Sequence, residues 1–221
     1  MSKIWSEFKK SPISAIAKWQ DQRFLWILMT VVCLALVAVA HYVFQDYGYM
    51  KPCEQCVYIR YAFVVMAIGG IIVAIYPKNI ILKVIGYVLA FYGAIRGIMY
   101  SVKLNNIHHA AHSDDPFQEV QGCSAVPHFD FGLPLHIWFP DWFNPTGDCG
   151  FDYPTVPDGV VIEGFRKAFV DFYEDGWYLI PSQHFGNMAQ CCLLAYVVCF
   201  VILAIMAISW IIDFSKKTKT H

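Results

Sequence analysis

Residues 52 to 60 read Pro52-Cys53-Glu54-Gln55-Cys56-Val57-Tyr58-Ile59-Arg60, and no charged residue follows from Tyr61 to Tyr76. The apolar run from Val57 to Tyr76 has about the 20 residues that a helix rising 1.5 Å per residue needs to cross roughly 30 Å of hydrocarbon. Three more blocks share its character, Phe24 to Phe44, Ile80 to Tyr100 and Ala189 to Ile212. Backbone polar groups find no water in lipid, so each block must satisfy its own hydrogen bonds as a helix. The first block is too long for the apolar core of a signal peptide, and its flanks lack a small-residue cleavage site. With 57% hydrophobic and only 15% charged residues distributed in this way, the chain reads as an all-α membrane protein, a four-transmembrane-helix bundle with a long extracytoplasmic loop between helices 3 and 4.

Lysine and arginine set the orientation. Lys3, Lys9, Lys10, Lys18 and Arg23 precede the first block, Lys78 and Lys83 mark the turn between the second and third, and Lys216, Lys217 and Lys219 follow the fourth. The positive-inside rule assigns these segments to the cytoplasm. Residues 101–188 carry only Lys103, Arg166 and Lys167, and residues 45–56 only Lys51, so both are expected outside. The expected organisation is a cytoplasmic N-terminus (1–23), a membrane domain (24–212) with outer loops at about 45–56 and 101–188, and a cytoplasmic tail (213–221).

This topology divides the eight cysteines equally. Cys33, Cys191, Cys192 and Cys199 lie in apolar blocks, where a free thiol packs as a small hydrophobe. Cys53, Cys56, Cys123 and Cys149 fall outside, where an oxidising compartment favours disulfides. Two structural bridges would suit these four as well as a redox relay does. The Cys-x-x-Cys pair favours the relay, because a bridge over two residues gains little chain entropy and commonly marks a bond that opens. Cys56 stands where a helix begins and free backbone N–H groups favour a thiolate. Arg60, four residues on, falls on the same helical face about 6 Å deeper. It can snorkel to the interface, or offer donors to a polar ligand such as the two carbonyl oxygens of a quinone ring.

Three further features bear on function. His108-His109-x-x-His112 with Asp114 and Asp115 lacks the cysteine spacing of a structural zinc site and reads as a solvated loop, so no metal is expected. Ile162, Phe165, Phe169, Phe172 and Tyr173 recur at helical spacing between Val160 and Asp175, before Gly176, and predict an amphipathic helix on the loop or the membrane surface. Arg96 can pair within the bundle or meet lipid headgroups.

The run from Lys51 to Arg60 resembles the start of the second helix in the DsbB family of disulfide-generating quinone reductases, which carries Pro-Cys-x-x-Cys-x-Tyr-x-Arg. Ala94-Ile95-Arg96-Gly97 is similar to that family's Ala-Phe-Arg-Gly, Leu133 to Trp138 to its membrane-lying Leu-Pro-Leu-x-x-Trp segment, and Gly147-Asp148-Cys149 to its Gly-Asp-Cys. Cys123 and Cys149 are 26 residues apart, as in the family. The longer stretch from Phe151 to Gln183, together with Cys-Glu-Gln-Cys, looks more like the DsbI paralogue, which serves a dedicated DsbA-like oxidant, DsbL. The family's histidine after the third helix has Leu104 at the corresponding offset here, so no histidine inherits its role.

The resemblance implies a multi-pass protein of the bacterial inner membrane, with both termini cytoplasmic and the redox cysteines periplasmic. It implies that a reduced DsbA-like partner attacks a Cys123–Cys149 disulfide at Cys123, and that Cys149 then attacks Cys53 of a Cys53–Cys56 bridge. Cys56, released as a thiolate, would face ubiquinone or menaquinone, with Arg60 holding the ring. Two rivals fit less of the sequence. A vitamin K epoxide reductase-like enzyme places its Cys-x-x-Cys late in the bundle and its loop pair earlier. A non-enzymatic tetraspanin-like scaffold expects Cys-Cys-Gly in its large loop, whereas Cys191-Cys192 lie in an apolar block without that glycine.

Overall fold

The computed structural model of the protein describes residues 11–113 and 122–219. Lys3, Lys9 and Lys10 of the expected cytoplasmic N-terminus, and Asp114 and Asp115, lie outside them, as do the side chains of Lys217 and Lys219. Four helices are long and apolar enough to cross a membrane: Arg23–Tyr47, Glu54–Ile75, Ile80–Ala111 and Met188–Lys216. The first comprises α2 (Arg23–Ala38) and a π-helical continuation, Val39–Tyr47; the others are α3 (Glu54–Ile75), α4 (Ile80–Ala111) and α8 (Met188–Lys219). Preceding them is a short α1 (Pro12–Trp19), which the apolar blocks do not announce.

The helix ends explain where these elements begin. Cys53 caps α3, its sulfur accepting the Cys56 N–H at 3.2 Å, so the helix starts at Glu54 and takes the whole Cys-x-x-Cys pair into its first turn and cap. Asn79 caps α4 through the N–H groups of Ile81 and Leu82, turning the chain sharply after α3. Residues 101–111, expected in the outer loop, continue α4, since no proline or glycine interrupts them before His112.

In the bundle α3 packs between α2 and α4, and α8 packs on α4 and α1. Small residues allow the closest approach. A Cβ on Gly69 would lie 2.7 Å from the Gly86 carbonyl oxygen, so these two backbones meet where a side chain cannot fit. At the end that carries the α3–α4 turn, Lys83 pairs with Asp21 at 2.5 Å and Gln20 donates to the Met206 carbonyl, fastening α1 and the start of α2 to α4 and α8.

The opposite end carries the long connection between α4 and α8. Residues 122–187 run through α5 (Leu135–Trp138), α6 (Pro140–Phe143), α7 (Gly164–Phe172) and a hairpin of β1 (Tyr178–Ile180) and β2 (Phe185–Asn187), paired antiparallel. The predicted helix over Val160–Asp175 is confined to α7. Gly159 and Gly164 hold positive φ, which ends regular structure on its N-terminal side and leaves Ile162 outside it.

Candidate functional site

Both disulfides of the cysteine end are closed, Cys53–Cys56 with Cα atoms 5.0 Å apart and Cys123–Cys149 with 5.7 Å. Cys53 and Cys149 are buried, and Cys56 and Cys123 half-buried. Two backbone bonds bring the pairs together: the Thr146 and Gly147 N–H groups donate to the Pro52 carbonyl at 2.9 and 3.1 Å. Gly147 is required there, because a Cβ would lie 2.6 Å from the Lys51 carbonyl oxygen. As a result Cys53, Cys56, Asp148 and Gly150 line one small cavity, together with Leu104 and His108.

The arm carrying Cys123 is held by Glu54, the first of the two residues between Cys53 and Cys56. Its carboxylate accepts the Ser124 N–H at 2.9 Å and the Tyr58 hydroxyl at 3.0 Å, and Tyr58 in turn accepts the His128 N–H at 2.7 Å. Arg96 resolves its alternatives by pairing within the protein. Its Nε donates to Asp130 at 2.9 Å, a second Arg96–Asp130 contact comes from Nη2, and Tyr92 adds a 2.5 Å bond to the same carboxylate. The arm is thus anchored on both sides of Phe129, which packs on Tyr58, Tyr61 and Phe143.

A larger cavity of about 200 Å³ opens between α2, α3 and α8. Cys56 and Arg60 line it, with Leu36, Val37, Ile59 and Phe63 among its apolar walls. An engineered cavity of roughly 150 Å³ takes up benzene, so this space suits a single substituted ring. Arg60 is buried, with Nη1 bonded to Gln45 Oε1 at 2.8 Å and the Trp142 carbonyl at 3.2 Å, and Nη2 to the Ala40 carbonyl at 3.2 Å. Of five guanidinium hydrogens these bonds use three, so one on Nη2 and the Nε–H remain for a ligand. The apolar walls, the sulfur and a cationic donor together fit a quinone ring with two acceptor oxygens.

Sequence reasoning missed the residues that hold Arg60. Gln45 sits in the π-helical continuation of α2, one turn from His41, whose ring stacks on Trp142 at 4.0 Å and whose Nδ1 lies 3.3 Å from Gln45 Oε1. The available signal was two polar residues four apart, His41 and Gln45, near the end of a largely apolar helix. His108 corrects the solvated-loop reading: it is buried on α4, stacks on His112 at 4.2 Å and meets Asn187 at 3.4 Å. Free Cys191 and Cys192 also line the large cavity. Asp152 and Lys51 line both cavities. Burial pushes the Asp152 carboxyl up to about 6, partly opposed by hydrogen bonds from its own and the Trp177 N–H and by nearby His112.

Residues 22–206 match the family model described as disulfide bond formation protein DsbB. The chain belongs to the DsbB family. It is 60% identical over 213 residues to a Campylobacter fetus chain assigned to DsbI, covering 96% of this chain and 99% of that one. It is 52% identical over 217 residues to the protein-disulfide oxidoreductase DsbI of Salmonella typhimurium, covering 96% of each, and 56% identical over 211 residues to that of Escherichia coli, covering 94% and 95%. Resemblance to DsbI thus extends over nearly the full length. As a DsbB-family protein-disulfide oxidoreductase with four membrane-length helices, it is a multi-pass membrane enzyme of disulfide bond formation.

Proposed function

We propose that the chain is a thiol:quinone oxidoreductase that reoxidises a periplasmic DsbA-like dithiol oxidase of the DsbL type and passes the electrons to ubiquinone or menaquinone. In this reading it spans the bacterial inner membrane with both termini cytoplasmic and Cys53, Cys56, Cys123 and Cys149 periplasmic. One arrangement carries the proposal: Cys56 shares one cavity with Arg60, while Cys53 and Cys56 share the adjoining cavity with both neighbours of Cys149. The Cys53–Cys56 bond therefore stands between the loop disulfide and a ring-sized space.

The steps balance as two electrons and two protons. A thiolate of the reduced partner attacks Cys123, breaks its bond to Cys149 and releases Cys149 as a thiolate. Cys149 attacks Cys53 and releases Cys56, so the reducing equivalents reach the cavity side of α3. The partner's second thiol then attacks its mixed disulfide with Cys123, and the partner leaves oxidised. The freed Cys123 attacks Cys149, which closes the loop pair and releases Cys53. Loss of two electrons from the Cys53 and Cys56 thiols re-forms their bridge. A bound quinone supplies the final acceptor for two electrons and two protons. Arg60 binds and orients it through its remaining N–H groups, and the apolar walls of α2 and α8 exclude water.

Anaerobic mixing of the purified chain, added quinone and a reduced DsbL-like protein should give one quinol per dithiol oxidised, and Cys123→Ser should abolish that yield. Dithiol oxidation without quinol would sink the quinone reading and leave a plain disulfide exchanger. Faster turnover with a general DsbA-like oxidant than with the DsbL-like one would overturn the partner choice.

A further inference from the structure

Outside the spans, the Phe151–Gln183 stretch and its hairpin expose several large apolar side chains. Phe165 is 92% exposed, Phe172 58%, Leu179 61% and Phe185 62%. Apolar groups gathered in this way on a membrane protein need a covering, and where they are fixed relative to the spans decides which one.

Four contacts fix α7 at the end of the first span. Arg166 donates to the Asp46 carbonyl at 2.8 Å and the Tyr47 carbonyl at 3.0 Å, placing a cation on the last turn of a helix where free carbonyls collect. Its guanidinium also lies 4.0 Å from the centre of the Tyr49 ring, and Phe169 packs edge-on against Tyr47. The first span has 25 residues, more than the roughly 20 that cross the hydrocarbon, so its Tyr47 end reaches the headgroup layer, where aromatic belts sit. The hairpin is fixed as closely to the fourth span: β2 ends at Asn187 and α8 begins at Met188, with the Asn187 side chain accepting the Gln190 N–H at 2.8 Å.

The geometry points to a ledge seated on the lipid surface, in which Phe165 and Phe172 of α7 and Leu179 and Phe185 of the hairpin enter the boundary between headgroups and acyl chains. Lys167 beside Arg166 adds a second cation at phosphate level. The surface continues the lipid-facing sides of α2 and α8, and its two halves stand at the outer ends of those helices, which flank the large cavity. Between the halves, Trp177 packs on Phe44 and lines that cavity, so seating in lipid also holds a roof over it. A protein partner is the poorer occupant. Cys123 lies on an arm anchored to α3 and α4 through Glu54 and Arg96, whereas the ledge is anchored to α2 and α8.

The test uses the full chain in nanodiscs of phosphatidylethanolamine and phosphatidylglycerol, with benzoylphenylalanine replacing one residue at a time. Phe165 and Phe185 should photocross-link to phospholipid at yields close to that of Ile205, a lipid-facing residue of α8, and several-fold above Val126 on the Cys123 arm. Retained disulfides in each variant establish that it folds. Lipid yields at the Val126 level, or cross-links to a reduced DsbL-like protein in place of lipid, would overturn the proposal. Because the readout is a lipid adduct, the result is independent of whether quinone is the electron acceptor.

Discussion

Arg60 shows how far a single residue's chemistry follows from spacing. Four residues from Cys56 on a helix, it had to share that cysteine's face, and both line the same cavity. The acceptors that hold it could not be foreseen, because Gln45 and the Trp142 and Ala40 carbonyls lie 15, 82 and 20 residues away in sequence. They make Arg60 a preorganised donor, with its side-chain entropy already lost before a ligand arrives. Replacing it with alanine removes one charge-assisted bond to the ligand, typically about 1.5 to 3 kcal/mol, which corresponds to roughly a 10- to 150-fold rise in quinone KM. The Cys53–Cys56 bridge should still form in that variant, as thiol counting after unfolding would show. An unchanged KM in a folded Arg60→Ala protein would reduce the residue to a clamp between α2 and α6.

At the scale of elements, composition and periodicity were enough for the four spans, since a helix in lipid must declare itself by an apolar run of fixed length. Elements outside the hydrocarbon were harder to read. The helix over Val160–Asp175 shrank to Gly164–Phe172 because two glycines with positive φ outweigh the apolar periodicity. The docking of the Cys123 arm depends on Glu54 reaching a backbone N–H 70 residues away, a contact with no local sequence signal. Glu54 acts here as a positioning residue: it keeps Cys123 beside α3 while touching no sulfur in any contact described. Glu54→Ala frees the Ser124 N–H and the Tyr58 hydroxyl and should cost about 1 to 2 kcal/mol of arm docking, because one of these bonds is exposed. Cys123–Cys149 should then be reduced by a small dithiol roughly five- to thirtyfold faster, with the Cys53–Cys56 rate unchanged. Equal acceleration of both disulfides would mean that Glu54 supports the fold generally.

For the whole molecule, the four-span architecture was legible because the bilayer restricts how a chain can cross it. Two shared cavities were not, since they form only when α2, α3, α8 and the 146–152 segment converge. Asp152 expresses that convergence as a dependence of stability on pH. Its carboxyl is raised from 3.8 to about 6 in the folded protein, chiefly by burial. The native state therefore binds a proton more tightly than the unfolded chain, and stability falls as pH rises between those two values. Above both, the carboxylate costs at most about 3 kcal/mol, and about 1 kcal/mol of that already applies at pH ~4.5. Asp152→Asn removes the charge and keeps an acceptor for the Trp177 N–H. Its gain in stability over the parent should grow by up to about 2 kcal/mol from pH ~4.5 to pH ~8, read as a widening Tm gap in detergent with both disulfides closed. A Tm gap that is constant across the pH range would show that Asp152 serves only to close the Gly176–Trp177 turn, with its charge screened by solvent.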